Sequence, residues 1–131
     1  MFFKINSLLA KLMNNQPSYE VSMNEIHHTQ KLDSPSGTAL TIAEQIIDNV
    51  DRKSGWTESS TPLSVQIPIQ ADRIENVPGT HSVTYENDID KIEIMHEAKG
   101  RMGFGMGAIL AAVFMLDKKG VFTMSDLLNQ D

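Results

Sequence analysis

The run His27-His28-Thr29-Gln30-Lys31-Leu32-Asp33-Ser34-Pro35-Ser36-Gly37-Thr38 lies between two segments of different hydrophobic period. Upstream, Tyr19, Val21 and Met23 alternate with polar residues, the two-residue period of a strand that reaches about Ile26. Downstream, Ala39, Leu40, Ile42, Ala43, Ile46, Ile47 and Val50 trace one face of a helix. Thr41, Glu44, Gln45, Asp48 and Asn49 occupy the opposite face. A strand, a polar loop from His27 to Gly37 and a helix are therefore expected in that order. Two adjacent histidines on a regular strand would face opposite ways. For both to reach one ligand, the strand must end at about residue 27.

Outward from this loop the pattern continues. Phe2, Ile5, Leu8, Leu9, Leu12 and Met13 fall at helical spacing, predicting an amphipathic helix over 2–14 that Asn14-Asn15-Gln16-Pro17 closes. It starts without a capping residue, so its first turn reads as truncated, although a natural N-terminal helix can also start abruptly. Asp51 to Pro62 reads as a polar loop. Leu63, Val65, Ile67 and Ile69 alternate as a strand, and Pro68 points to an edge or a bulge. Ala71 to Gly79 is a connection. His81, Val83 and Tyr85 then alternate, Glu86-Asn87-Asp88 turns the chain, and Ile92, Ile94 and His96 alternate back, predicting a hairpin. A glycine-rich turn, Gly100 to Gly107, feeds a helix from Ala108 to Leu116 that Asp117-Lys118-Lys119-Gly120 ends. Thr123 or Ser125 can cap a short final helix. The order α β α β β β α predicts an α+β fold: a mostly antiparallel or mixed open sheet of about four strands with helices on one face. The open face of such a sheet predicts an oligomer.

Composition excludes several function classes. The 131 residues suit one domain with a modest core. The net charge of −6 and the lack of a Lys/Arg cluster speak against binding nucleic acid. An anionic small molecule remains open, because a few local cations outweigh net charge nearby. With no cysteine, disulfides, thiolate metal sites and a Cys nucleophile are excluded. No apolar run approaches the ~18 residues of a membrane span. The N-terminus lacks a basic region and a small-residue cleavage site, so a cytoplasmic location is expected.

The loop carries the chemistry. The first N–H groups of a helix lack internal partners, and the helix dipole adds partial positive charge there. Ser36 can cap the helix, Gly37 lets a ligand approach the backbone, and Thr38 adds a hydroxyl, which together suit a carboxylate or phosphate. An ordinary cap without a ligand would use the same residues. His27, His28 and Lys31 change that balance, because three potential cations converge on one helix N-terminus. Histidine titrates near neutral pH and shuttles protons. Lysine donates a proton or holds a carboxylate as a point charge. A metal site recruiting His81 or His96 would make the chain a metal-dependent hydrolase, but no HxH, HExxH or carboxylate spacing supports it, and no metal is expected.

Glu25-Ile26-His27-His28-Thr29-Gln30-Lys31-Leu32-Asp33-Ser34-Pro35-Ser36-Gly37-Thr38-Ala39 resembles the E-x-H-H-x-x-K-x-D-x-P-S-G-T-A signature of the dihydrodipicolinate reductases. Gly79-Thr80-His81-Ser82-Val83 fits the family too, as do His96-Glu97-Ala98, Arg101, Phe104 and Gly107-Ala108. That family reduces a cyclic imine dicarboxylate with NADH or NADPH in diaminopimelate and lysine biosynthesis. The resemblance implies that His27 is a proton donor/acceptor and Lys31 the proton donor. It implies that His28, the Gly37 backbone and Thr38 bind the substrate carboxylates. It further implies that residues 1–131 are a C-terminal substrate-binding and oligomerisation domain, assembling as a homotetramer through its sheet. A Rossmann domain before residue 1 would hold the nucleotide, and without it this chain would not turn over. One departure is Arg73-Ile74-Glu75, where the family often shows Arg-x-Gly; a local loop difference is expected.

Gly103-Phe104-Gly105-Met106-Gly107-Ala108 also fits G-x-G-x-x-A, a dinucleotide fingerprint. That motif needs a turn tight against a strand end and a second parallel strand with an acidic residue. Several polar residues separate Ile94 from Gly103, and no convincing strand follows Leu116, so these glycines read as packing or turn residues. Arg101 and Phe104 can approach substrate or cofactor from this side but stay outside the primary site. A different class of function, a non-catalytic dicarboxylate-binding or assembly module, uses the same signature.

Overall fold

A computed structural model describes residues 1–128, in two compact units: residues 2–97, and Met1 with residues from Ala98 onward. The larger unit runs α1 (Phe2–Asn14), β1 (Glu20–His27), α2 (Gly37–Ile47), β2 (Gly55–Thr57), β3 (Gln66–Arg73), β4 (Thr80–Glu86) and β5 (Lys91–Glu97). Five strands form one mixed sheet in the order β2-β3-β1-β4-β5. The β1–β3 and β2–β3 pairs are parallel, and the β1–β4 and β4–β5 pairs antiparallel. The sheet is thus mixed, with one strand more than the four expected.

Register decides which side chains share a face. Met23 lies opposite Ile69 on one side and Val83 on the other, and Val21 opposes Tyr85. These residues, with Ile67, are buried against Ala10 and Met13 of α1 and Ile42, Ala43 and Ile46 of α2. Continuing along that face, strand parity places Glu25, His27, Arg73 and His81 at one end of the core. The two helices are joined by Asn6, fully buried, whose Nδ2 donates to the Ile42 carbonyl at 3.1 Å and to Gln45 Oε1 at 3.0 Å. Arg52 donates to the carbonyls of Met13 at 3.2 Å and Tyr19 at 3.0 Å, closing the C-terminus of α1.

Several sequence expectations change. The polar stretch 51–62 contains β2, only three residues long and too short to show a period. Leu63 and Val65 are exposed and precede β3, which instead runs on through Arg73, so part of the expected connection is strand. Pro68 lies inside the sheet, not at its edge. It faces the last residue of β2, one position before pairing with β1 begins at Ile69. The hairpin forms as expected, its turn built on Asn87, whose Oδ1 accepts from the N–H groups of Ile89 and Asp90.

In the smaller unit, α3 spans Met102–Phe114, so most of the expected glycine-rich turn is helix. Alternate glycines lower helix propensity but leave the backbone hydrogen bonds available. A Cβ at Gly103, Gly105 or Gly107 would meet nothing within 4 Å, so packing within the chain does not demand glycine there. Phe114 meets Phe122 edge to face at 5.7 Å, and Lys118 Nζ lies 3.2 Å from the centre of the Phe114 ring. Thr123 precedes α4 (Met124–Leu128); its N–H and hydroxyl both donate to Asp126 Oδ2. Among the described residues no helix is long and apolar enough to cross a membrane.

Ile46 is fully buried while Ile89, at the hairpin tip, is 89% exposed. Ile46→Ala is expected to cost about 2–5 kcal/mol of unfolding free energy in urea titrations, and Ile89→Ala no more than about 0.5.

Candidate functional site

The loop 28–36 is fastened from below by one carboxylate. Glu25 is fully buried on β1, on the core face. Its Oε1 accepts from the Ser36 backbone N–H at 3.0 Å and from Arg73 Nη2 at 3.2 Å. Its Oε2 accepts from the Ser36 N–H at 3.1 Å and from the Ser36 hydroxyl. A buried carboxylate is costly unless it is paired and hydrogen-bonded, and this one is both.

Arg73 carries the fastening further along the loop. Besides Glu25, it donates to the carbonyls of Asp33 at 2.5 Å and Lys31 at 3.3 Å. Just beyond, the Ile74 N–H donates to the His27 carbonyl at 2.8 Å. Glu75, which replaces the glycine of the Arg-x-Gly pattern, leaves this clamp intact. The tight backbone falls on Asn76 instead, at φ 63°, a conformation asparagine tolerates.

Ser36 is the N-cap of α2, as expected, its side chain accepting from the Ala39 N–H at 3.2 Å. Gly37 and Thr38 head the helix and are exposed, and their N–H groups have no preceding helical turn to accept from. A Cβ on Gly37 would meet nothing within 4 Å, so the space beside the first helical residue is open.

The cationic residues divide into two environments. His27 is the last residue of β1 and is buried, its ring edge-to-face with His81 at a centroid distance of 4.9 Å. His28 follows the strand and is half-buried. The Lys31 N–H donates to the His28 carbonyl at 3.1 Å, and Lys31 Nζ lies 2.8 Å from the Asp33 carboxylate. That hydrogen bond holds the Asp33 carboxyl below its ordinary range. Burial lowers His27, against the pull of Glu25 and aided by Lys31 and Arg73. Burial, aided by His27, pushes His81 down to about 4, although Glu25 opposes it. Both rings are therefore neutral near pH 7.

Sequence reasoning gave Glu25 and Arg73 no site role and weighed His81 only as a metal ligand. One oxygen of Glu25 and one nitrogen each of His27 and His81 lie within 4.8 Å of one another, a spacing a cation can use. The donor set does not suit one. Both Glu25 oxygens already accept hydrogen bonds, His81 Nε2 faces the Ser36 hydroxyl at 3.2 Å, and the Arg73 guanidinium adds positive charge at 3.2 Å. His96, the other residue weighed as a metal ligand, lies opposite His81 on β5 but is exposed, its ring tilted against Phe2 at a centroid distance of 5.9 Å. Nor does the expected decoy, Gly103 to Ala108, have the geometry of a dinucleotide turn. Gly103 to Ala108 lie inside α3 instead of on a strand-to-helix turn, and the strand-to-helix turn after β1 carries the histidines and lysine.

A family model described as "Dihydrodipicolinate reductase, C-terminus" matches residues 1–128. The 4-hydroxy-tetrahydrodipicolinate reductase of Christiangramia forsetii is 53% identical over 129 residues, covering 98% of this chain and 54% of the relative. That of Methanococcoides burtonii is 37% identical over 131 residues, covering 98% and 49%. The chain thus spans about half the length of the curated relatives it matches. A solved dipicolinate-bound dihydrodipicolinate reductase from Paenisporosarcina sp. TG-14 shares the fold, with a TM-score of 0.61 at 23% identity over 92% of this chain and 49% of that one.

Two outcomes follow for stability. Arg73→Ala removes a charged tie to Glu25 and two loop carbonyls, and is expected to cost about 2–3 kcal/mol in urea unfolding. The folded value of His81 lies below the ordinary 6.5, so the unfolded chain binds more protons as pH falls. Stability is therefore lost between about pH 6.5 and 4, by roughly 2 kcal/mol once partial solvation is allowed for. Unfolding at pH 7 and pH 4.5 should show a smaller drop for His81→Gln than for the unmodified chain.

Proposed function

We propose, from the premise that this chain belongs to the dihydrodipicolinate reductase family as its C-terminal domain, that it binds and protonates a cyclic imine dicarboxylate. The observation that carries the reading is the exposed N-terminus of α2 at Gly37 and Thr38, fastened through Ser36 and Glu25 beneath a loop bearing His28 and Lys31. One substrate carboxylate takes the N–H groups of Gly37 and Thr38 and the Thr38 hydroxyl, where the helix dipole favours negative charge. His28 takes the other.

Lys31 is the proton donor to the ring. In this state it is held by Asp33, and it exchanges that partner for the substrate when the site fills. His27 is the proton donor/acceptor; burial keeps it neutral near pH 7, the form that accepts a proton. Reduction of the C=N bond also needs a hydride, which NADH or NADPH supplies. The described residues offer no nucleotide turn, and we assign that cofactor to a Rossmann domain outside residues 1–131. The whole enzyme then acts in diaminopimelate and lysine biosynthesis in the cytoplasm, as a homotetramer assembled through the open face of the sheet.

Pyridine-2,6-dicarboxylate, a planar analogue, tests the site by calorimetric titration. It should bind the chain, and Lys31→Ala or Thr38→Val should each weaken binding by about 1–3 kcal/mol, the size of a charged hydrogen bond. Unchanged affinity in both variants would contradict these assignments.

A further inference from the structure

Beneath the loop, the hydrogens of the buried network can be counted. The Ser36 hydroxyl has one hydrogen and two lone pairs. The Ala39 N–H uses one lone pair at 3.2 Å. The contact with Glu25 Oε2 uses the hydrogen, because a carboxylate only accepts. What remains is one lone pair, and it faces His81 Nε2 at 3.2 Å. That nitrogen must therefore carry the hydrogen.

We propose that Glu25, acting through Ser36, locks His81 in its Nε2–H tautomer, and that Glu25 and His81 are the positioning residues that seat His27 and the α2 N-terminus together. Neither has to touch the ligand. His81 meets the His27 ring at an interplanar angle of 72°. Gly79 meets the same ring through its backbone: a Cβ there would lie 3.2 Å from His27 Nε2, and its φ of +153° disfavours any side chain. His27 thus sits between a ring of fixed orientation and a backbone segment. The neutral state of His81 leaves one ring hydrogen to place, and the Ser36 contact decides where it goes. The network also explains why Ser36 is more than a cap, since its hydroxyl joins a strand carboxylate, the helix end and a second strand.

This inference rests on the proposed function only for what His27 does; the tautomer is independent of any ligand. The test is a long-range proton–nitrogen correlation spectrum of the full chain, with ¹⁵N-labelled histidine, at pH 7 and without ligand. The expected result is a single Nε2–H pattern for His81. An Nδ1–H pattern, or an average of the two, would overturn the lock.

Glu25→Gln sharpens the test. The Gln oxygen must stay towards Arg73 and the Ser36 N–H, which only donate, so its NH2 group donates to the Ser36 hydroxyl. The serine hydrogen then turns to His81 Nε2, and His81 should switch to Nδ1–H. An unchanged His81 pattern would overturn the proposal. Should Glu25→Gln not fold, the His81 pattern of the unmodified chain decides alone. For the positioning role, Glu25→Gln should weaken pyridine-2,6-dicarboxylate binding by about tenfold, or 1.4 kcal/mol. Equal affinity would overturn positioning. Failure of the unmodified chain to bind that analogue would instead count against the proposed function and leave the tautomer result standing.

Discussion

The carboxylate of Glu25 is the constraint on which the site depends. Removing a charge from water costs several kcal/mol, so a fully buried carboxylate persists only where other groups are held against it. Here those groups come from three places: the end of the loop at Ser36, the end of β3 at Arg73, and the ring of His81 on β4. Arg73 reaches on to the carbonyls of Lys31 and Asp33. One ion pair, buried on the Glu25 side, therefore fixes a loop whose middle, Thr29, Gln30 and Leu32 to Ser34, is exposed, and it does so from the sheet.

That arrangement follows from register. With Met23 opposite both Ile69 and Val83, the same parity carries Glu25 opposite Ala71 and His81, and His27 opposite Arg73. The core face of the sheet is thus apolar along most of its length and polar at one end. The apolar part packs under α1 and α2, while the polar part meets the start of α2, where helix N–H groups need acceptors. A net charge of −6 is compatible with an anion site because Arg73 and Lys31 are held together at that end by the Arg73 bond to the Lys31 carbonyl.

Much of this was legible from residue order. The periods of α1, α2 and the hairpin are clear because each buries one face, and burial imposes the period. The loop residues His27, His28, Lys31, Gly37 and Thr38 stood out by chemical type. β2 was hidden because Gly55-Trp56-Thr57 is too short to carry a period. The start of α3 was hidden because three alternating glycines suggest turns. Glu25 and Arg73 had no site role, and His81 none beyond a rejected metal site, for a different reason. Polar residues in strands usually face water, yet the parity Val21, Met23, Glu25 placed this carboxylate on the core face. A charge at a core position signals a partner, and the same count along Ile67, Ile69, Ala71, Arg73 supplies one.

The central claim is that the helix end held by Glu25 receives a dicarboxylate. Amide proton–nitrogen spectra of the chain, titrated with pyridine-2,6-dicarboxylate, test it most directly. The account predicts that the largest shifts fall on Gly37 and Thr38, with smaller ones on His28 and Lys31. Shifts centred instead on the cavity lined by Glu58, Ser60, Pro68 and Gln70, or none at saturating ligand, would contradict it.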